Sequence, residues 1–343
     1  MALPENELAS SFESQVKPFF EGQFALGSFK GAGGLTLRYA KREAPTPGGT
    51  LVLVKGRTEF LTKYAELFYD LRDLPLSIYL LDLRGQGLSD RLLPDHEKGY
   101  VSDFQDYVDD LSIFIDTVVQ PDSRQARSEQ NPLRGAETKH GQSLVMLTHS
   151  MGGTVALLYA NTHPGKVSGM ILCAPMLGIN PRPFPVSVAR FLAHGASFLG
   201  FGAAYVPGGG PYDPAKPFAS NDVTHSQARF SLNQRLVAAQ PADALGSPTY
   251  GWVDQAFAGM DRISADHRNL TMPVLLLRAG ADTVVDNRPQ SGFCSDLPAC
   301  ALAEMPGAKH EILMEVDTIR NLAIGLIREF LQRNVLPAKE RLP

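Results

Sequence analysis

The stretch LVMLTHSMGGTVALLYANTH carries one serine, Ser150, between an apolar run, Leu144 to Leu147, and residues rich in Ala and Leu. The pattern predicts a strand, a sharp turn and a helix, with the serine at the turn. Such an elbow holds Oγ clear of the backbone, beside the helix N-terminus, where the N–H of Met151 faces any anion that forms. Gly152 and Gly153 are expected to let the helix pass close to the strand it has just left. The usual elbow reads G-x-S-x-G, and Thr148 stands in place of its first glycine. S-x-G-G alone is a weak signal. Its place between strand and helix favours a nucleophile over a serine that only caps the helix.

A chain of 343 residues is long for one simple domain and short for two large ones, so an α/β core with an inserted subdomain fits. Hydrophobic residues make up 44% and charged residues 20%, enough to build a large core. A net charge of −4 without a long Lys/Arg block argues against nucleic acid as a partner and against strong electrostatic docking on anionic membranes. The polar, acidic start MALPENELASSFESQ lacks the features of a signal peptide, and no apolar run reaches the ~18 residues of a spanning helix. Cys173 ends an apolar strand and is expected as a buried thiol. Cys294 and Cys300 are near enough in sequence to pair, though nothing demands it. These features point to a cytoplasmic protein, at most peripheral on the inner membrane. Oligomeric state leaves no mark in the sequence.

Residues 23–41 read as two strands around a Gly-rich turn, followed by strands at Leu51 to Lys55 and Leu76 to Asp82 with a helix between them. Apolar residues at helical spacing mark 103–119, and 120–140 is expected as a polar loop. Strands at Val167 to Cys173, Val274 to Arg278 and Cys300 to Met305 precede an amphipathic helix from about Asp317 to Arg333. Strands alternating with helices predict a mainly parallel sheet covered on both faces. Residues 175–261, rich in Gly, Pro and aromatics, break this rhythm between two core strands and read as an inserted cap. The core then comprises 23–174 and 262–334, with 1–22 as an N-terminal extension.

A serine nucleophile needs a base, and the base an orienting acid. In open α/β sheets such groups sit beyond the strand C-terminal ends. Asp282 follows the strand Val274 to Arg278, with Asp286 as its rival, and His310 follows Cys300 to Met305. His96, His140, His149, His163, His194, His225 and His267 compete with His310. His149 adjoins Ser150, but neighbouring side chains at an elbow diverge. The order Ser150, Asp282, His310 is one known triad order. A tetrahedral intermediate needs two N–H donors. Met151 supplies one and the loop Lys55-Gly56-Arg57 the other, with Arg57 N–H as the candidate.

LVLVKGRTEFLTKYAELFYDL, LLDLRGQGLSDR, DYVDDL, THSMGG, GADTVVD and GAKHEIL together resemble the bacterial lysophospholipase group related to monoacylglycerol lipases, within the serine-aminopeptidase-like α/β hydrolases. The strings NDVTHSQARF and GSPTYGWV resemble the lysophospholipase members in particular, and the likeness spans about 23–334. It implies the α/β-hydrolase fold, an eight-stranded sheet, a cap after the sixth strand, and the triad and oxyanion positions above. Lys55 departs from the family's His-Gly pair, as Thr148 does from the elbow glycine. The Arg84-Gly85-Gln86-Gly87 turn belongs to the family pattern, with Asp82 and Arg84 holding loops near the site.

The cap aromatics Phe184, Phe191, Phe198, Tyr205 and Trp252 are candidates to line an acyl groove. Exposed ones offer a contact with a membrane surface. The reading is a serine esterase of monoacyl lipids, foremost lysophospholipids, needing no metal or organic cofactor. Monoacylglycerol lipase or general carboxylesterase, a proline-iminopeptidase-type aminopeptidase and a non-catalytic lipid-binding protein are the alternatives.

Overall fold

The computed structural model describes residues 2–121 and 143–336, so most of the loop expected at 120–140 lies outside the described residues. Eight strands form one sheet: β1 (Ala25–Lys30), β2 (Thr36–Arg42), β3 (Gly49–Val54), β4 (Leu76–Leu81), β5 (Leu144–His149), β6 (Gly169–Cys173), β7 (Val274–Ala279) and β8 (Cys300–Met305). Their spatial order is β1-β2-β4-β3-β5-β6-β7-β8. β2 pairs antiparallel with both β1 and β4, and every other pairing is parallel. The four central strands β3 to β6 are buried at every position, as expected where both faces are covered.

The helices are α1 (Leu8–Ser11), α2 (Lys17–Gln23), α3 (Ala65–Asp70), α4 (Gln105–Phe114), α5 (Met151–Thr162), α6 (Val186–Ala196), α7 (Gln227–Ala239), α8 (Tyr250–Ala265), α9 (Arg288–Asp296) and α10 (Asp317–Asn334). Strand alternation divides the core. Val52 and Val54 of β3 face a layer built from α4, α5 and α8, while Leu51 and Leu53 face α2, α3 and α10. The start of the chain joins this second layer through Leu8, Phe12, Val16 and Phe20, one helical stripe at a spacing of four. Cys294 and Cys300 form a disulfide that ties α9 to β8, a bond type that is rare in a reducing cytoplasm. Cys173 is a free, buried thiol.

Between β6 and β7 the chain forms α6, α7 and α8 and no strand among the described residues. The last of these helices runs past Asp261 and sets Trp252 against Phe104, their rings 6.1 Å apart. Arg229 of α7 is the main polar join to the rest of the molecule. Its guanidinium reaches Glu66 of α3 at 2.8 Å, Asp317 of α10 at 2.9 Å and the carbonyl of Glu315 at 2.7 Å. Arg229 and Glu66 are both about 2% exposed, so neither ion is solvated once the other is lost. Arg229→Ala is therefore expected to cost about 3–5 kcal/mol, read as a lower urea midpoint at unchanged slope. A loss under about 1 kcal/mol would show that Arg320, 3.3 Å from Glu66, holds its charge without Arg229.

Candidate active site

Ser150 alone forms the turn between β5 and α5. Its backbone lies at φ 50°, ψ −120°, a conformation that costs a non-glycine residue about 1–3 kcal/mol. Neighbours hold it there: its N–H donates to Cys173 O at 3.1 Å, and its carbonyl accepts from Met176 N at 3.0 Å and Gly153 N at 2.9 Å. The tightest approach is to β3, not to the strand that α5 leaves. A Cβ on Gly152 would collide with the carbonyl of Val54 and lie 2.6 Å from that of Lys55. A Cβ on Gly153 would meet Pro175 at 2.9 Å, and only then Thr148 at 3.4 Å. Thr148 fits because its hydroxyl donates to Ile171 O at 3.2 Å, which satisfies the one polar atom it buries.

Asp282 sits in the turn after β7. Its Oδ1 accepts from Val284 N and Val285 N at 2.8 and 3.0 Å, and its Oδ2 lies 2.7 Å from His310 Nδ1. Burial works to raise the Asp282 pKa, but the His310 hydrogen bond and charge outweigh it, and the net value lies below the ordinary one. Asp286 turns instead to Arg288, at 2.7 Å. Among the other histidines, His163, His225 and His267 bond to Ser112, Glu315 and Asp296. His194 stands exposed beside Asp254, and His140 lies outside the described residues. Ser150 and His310 line one cavity of about 350 Å³. Among the described residues Ser150 Oγ has no hydrogen-bond partner, which is usual before substrate tightens a site.

The backbone N–H groups of Arg57 and Met151 likewise have no acceptor among the described residues. The Arg57 loop is fixed from three sides. Glu59 Oε2 accepts from Gly56 N at 2.5 Å, and Gln86 Oε1 accepts from Thr58 N at 2.8 Å. Lys55, in the place of the family histidine, buries its ammonium against Asp82 and donates to Glu59 O at 3.2 Å. Asp82 also accepts from Leu88 N at 3.0 Å, and Arg84 grips Asp110 at 2.6 and 2.7 Å. The Arg-Gly-Gln-Gly turn is thus a brace for the loop that carries Arg57.

The sequence reading missed the pair beneath this loop. His149 Nδ1 lies 2.9 Å from Glu59 Oε1, and its Nε2 lies 3.1 Å from the carbonyl of His310. Glu59 also accepts from the Tyr64 hydroxyl at 2.7 Å and pairs with Lys63 at 3.3 Å. Burial opposes both charges, but each offsets the loss for the other. Glu59 is held well below the carboxylate range by His149 and Lys63, and His149 is held above the usual histidine value by Glu59. One carboxylate therefore touches the loop that carries Arg57, the residue before Ser150 and, through that residue, the loop of His310. The only hint in the sequence is a glutamate three residues after Gly56.

Apolar walls cover most of the cavity, including Met176, Ile179, Phe184, Leu192, Trp252 and Val253. Phe184 and Trp252 thus stand where the sequence reading put them, while Tyr205 is not part of the wall. Phe191 and Phe198 are 76% and 85% exposed and point away from it. For Phe191 the reason lies in α6, which turns Ala189, Leu192 and Ala193 to the cavity and carries a second apolar face to the surface, and Phe198 lies in the turn that follows it.

The Glu59–His149 pair makes stability depend on pH. Glu59, held low, contributes above the ordinary glutamate pKa, about 4.3, and loses that as pH falls through its depressed folded value. His149, held high, contributes fully below about 6.5 and loses that as pH rises through its raised folded value. Glu59→Gln should therefore cost most near pH 6 and less near pH 9, about one histidine titration apart, in urea midpoints measured at both. Equal losses at the two would show that the contribution is not ionic.

A family model described as "Serine aminopeptidase, S33" matches residues 45–317. The "Lysophospholipase L2" of Escherichia coli (strain K12) is 36% identical over 91% of this chain and 89% of its own length. A "Monoglyceride lipase" of Rattus norvegicus is 25% identical over 90% of this chain and 89% of its own. Among solved structures, a soluble variant of monoglyceride lipase from Saccharomyces cerevisiae superposes with a TM-score of 0.70 at 19% identity, covering 92% of this chain and 97% of that one, a likeness of fold. With a family model over most of its length and a relative at 36% identity over nearly all of it, the chain belongs to the serine aminopeptidase S33 family and is a serine-type α/β hydrolase.

Proposed function

We propose that this enzyme hydrolyses the carboxylic ester of monoacyl lipids, foremost lysophospholipids, with Ser150, His310 and Asp282 as its triad. The observation that carries the reading is a strained, unpartnered serine hydroxyl and a carboxylate-bound histidine at the polar end of one apolar cavity. Ser150 Oγ attacks the ester carbonyl while His310 Nε2 takes its proton. Arg57 and Met151 N–H groups receive the oxyanion. His310 returns the proton to the leaving alcohol, and water then cleaves the acyl-enzyme through the same base. Asp282 holds the Nδ1–H tautomer and stabilises the imidazolium. The acyl chain lies along the apolar wall beneath the β6–β7 segment, which acts as a cap. The relatives named lysophospholipase L2 and monoglyceride lipase support this substrate class.

The cap also offers a membrane contact. Phe191, Phe198, Leu199 and Phe201 are each more than half exposed, on α6 and the turn after it, which borders the cavity. Phe198→Ser combined with Phe201→Ser should reduce sedimentation with phosphatidylcholine vesicles several-fold and leave the hydrolysis of a short water-soluble ester unchanged. Undiminished sedimentation would remove the cap from the contact.

Ser150→Ala and His310→Ala should each lower fatty-acid release about a thousandfold or more, with the thermal transition kept. Near-normal release by either folded variant would sink the mechanism. In wild type, release from lysophosphatidylcholine should exceed release from a monoacylglycerol of the same chain. The reverse order would move the enzyme to neutral lipids while keeping its chemistry.

A further inference from the structure

Among the described residues the buried carboxylates have partners, with one exception. Glu59 pairs with His149, Glu66 with Arg229, Asp70 with Arg320, Asp82 with Lys55, Asp110 with Arg84 and Glu315 with His225. Asp243, 7% exposed, stands in the short turn Pro241–Asp243 between α7 and α8, and no hydrogen bond or ion pair reaches its carboxylate from the described residues. Arg91 comes close but is spent elsewhere: it donates to the carbonyls of Gly85, Gly87, Ala242 and Ala244. It thereby fixes the residues on either side of Asp243 and leaves the carboxylate itself unbound. Lys55 is held by Asp82. Burial, and after it the charge of Asp82, raise the Asp243 pKa to about 7 against the weaker pull of Lys55 and Arg91. A carboxyl raised in this way weakens the fold as pH climbs from its unfolded value, about 3.9, through the folded one.

The surroundings give this costly acid a use. Asp243 lines a polar cavity of about 230 Å³ that abuts the catalytic cavity, and the two share Thr58, Val223 and Glu311 as lining. Thr58 follows Arg57, and Glu311 follows His310. Met176, Leu192, Trp252 and Val253, from the apolar wall, do not belong to the polar cavity. Its buried cations are matched, Lys63 by Glu311 and Arg229 by Glu66. Lys216 and Asp213 also line it, but both are exposed and solvated. One buried acid is left over, and the cation that would match it is one that enters with a ligand.

We propose that Asp243 is a specificity residue: its carboxylate accepts the primary ammonium of an ethanolamine head group, which makes the polar cavity the subsite of the leaving alcohol. This rests on the reading of the enzyme as a monoacyl-lipid hydrolase. In that reading the leaving alcohol meets His310, and the polar cavity borders the loop of that base. A primary ammonium brings a full charge and three N–H donors, the complement of a buried carboxylate. A trimethylammonium brings charge without donors, and a glycerol hydroxyl brings a donor without charge. Binding relieves the cost of the unmatched acid, so that cost returns as affinity for the ligand that matches it.

The test is inhibition of p-nitrophenyl butyrate hydrolysis near pH 8 by three ether-linked probes of one chain length: lysophosphatidylethanolamine, lysophosphatidylcholine and monoglyceride, each below its micellar concentration. Each variant is read against its own uninhibited rate. In wild type the ethanolamine probe should inhibit about ten- to a hundredfold more tightly than the choline probe. Asp243→Asn should remove that difference and change inhibition by the monoglyceride less than about twofold. Its urea midpoint near pH 8 should equal or exceed that of wild type, because an unmatched charge is gone. A lower midpoint with equal weakening for all three probes would make Asp243 a structural residue, and would overturn the proposal. So would equal weakening for the two lysophospholipids, which would mean that the site reads charge alone. A wild type that does not tell these two apart would overturn it as well. If wild type releases fatty acid from neither lysophospholipid while Asp243 still governs the ethanolamine probe, the substrate reading fails and the site stands.

Discussion

Gly152 sets how closely the first turn of α5 approaches the end of β3, and the geometry of the site follows from that distance. No side chain larger than hydrogen fits between this turn and the carbonyls of Val54 and Lys55. The contact brings Met151 beside the loop that carries Arg57, so two N–H groups from separate strand ends can converge. It also forces the turn into one residue, and the strain falls on Ser150. That conformation persists because a hydrogen bond to the Cys173 carbonyl and two from Gly153 N and Met176 N over-determine it.

Beneath the elbow lies a layer of charge rather than of apolar packing. Glu59, His149, Lys63 and Glu311 form one chain of ion pairs, and Lys55 and Asp82 a second beside it. Replacing such pairs with hydrophobic groups is often neutral or favourable for stability. What apolar packing cannot supply is direction. Glu59 accepts from Gly56 N on one side and engages His149 on the other, and His149 meets the carbonyl of His310. The Arg57 loop and the His310 loop are held to each other through this pair, a link that hydrogen bonds can orient and van der Waals contact cannot.

The sheet and the positions of Ser150 and Asp282 were legible in the sequence because each follows a short apolar run that ends in a turn, and that of His310 because it follows the more mixed stretch Cys300 to Met305 in the same rhythm. Their separation along the chain did not matter, since a parallel sheet gathers its strand ends on one edge. The Glu59–His149 pair was not legible. His149 invited the wrong question, whether it is the base, and nothing local joins it to a residue on the loop after β3. The stripe of Leu8, Phe12, Val16 and Phe20 was present in the sequence but hidden among acidic and polar neighbours that set the average character of the segment. Aromatic content alone could not sort Phe184 from Phe191 and Phe198. All three suit an acyl chain, and only the course of the chain decides which meets the cavity: Phe184, just before α6, does, while Phe191 on it and Phe198 after it do not.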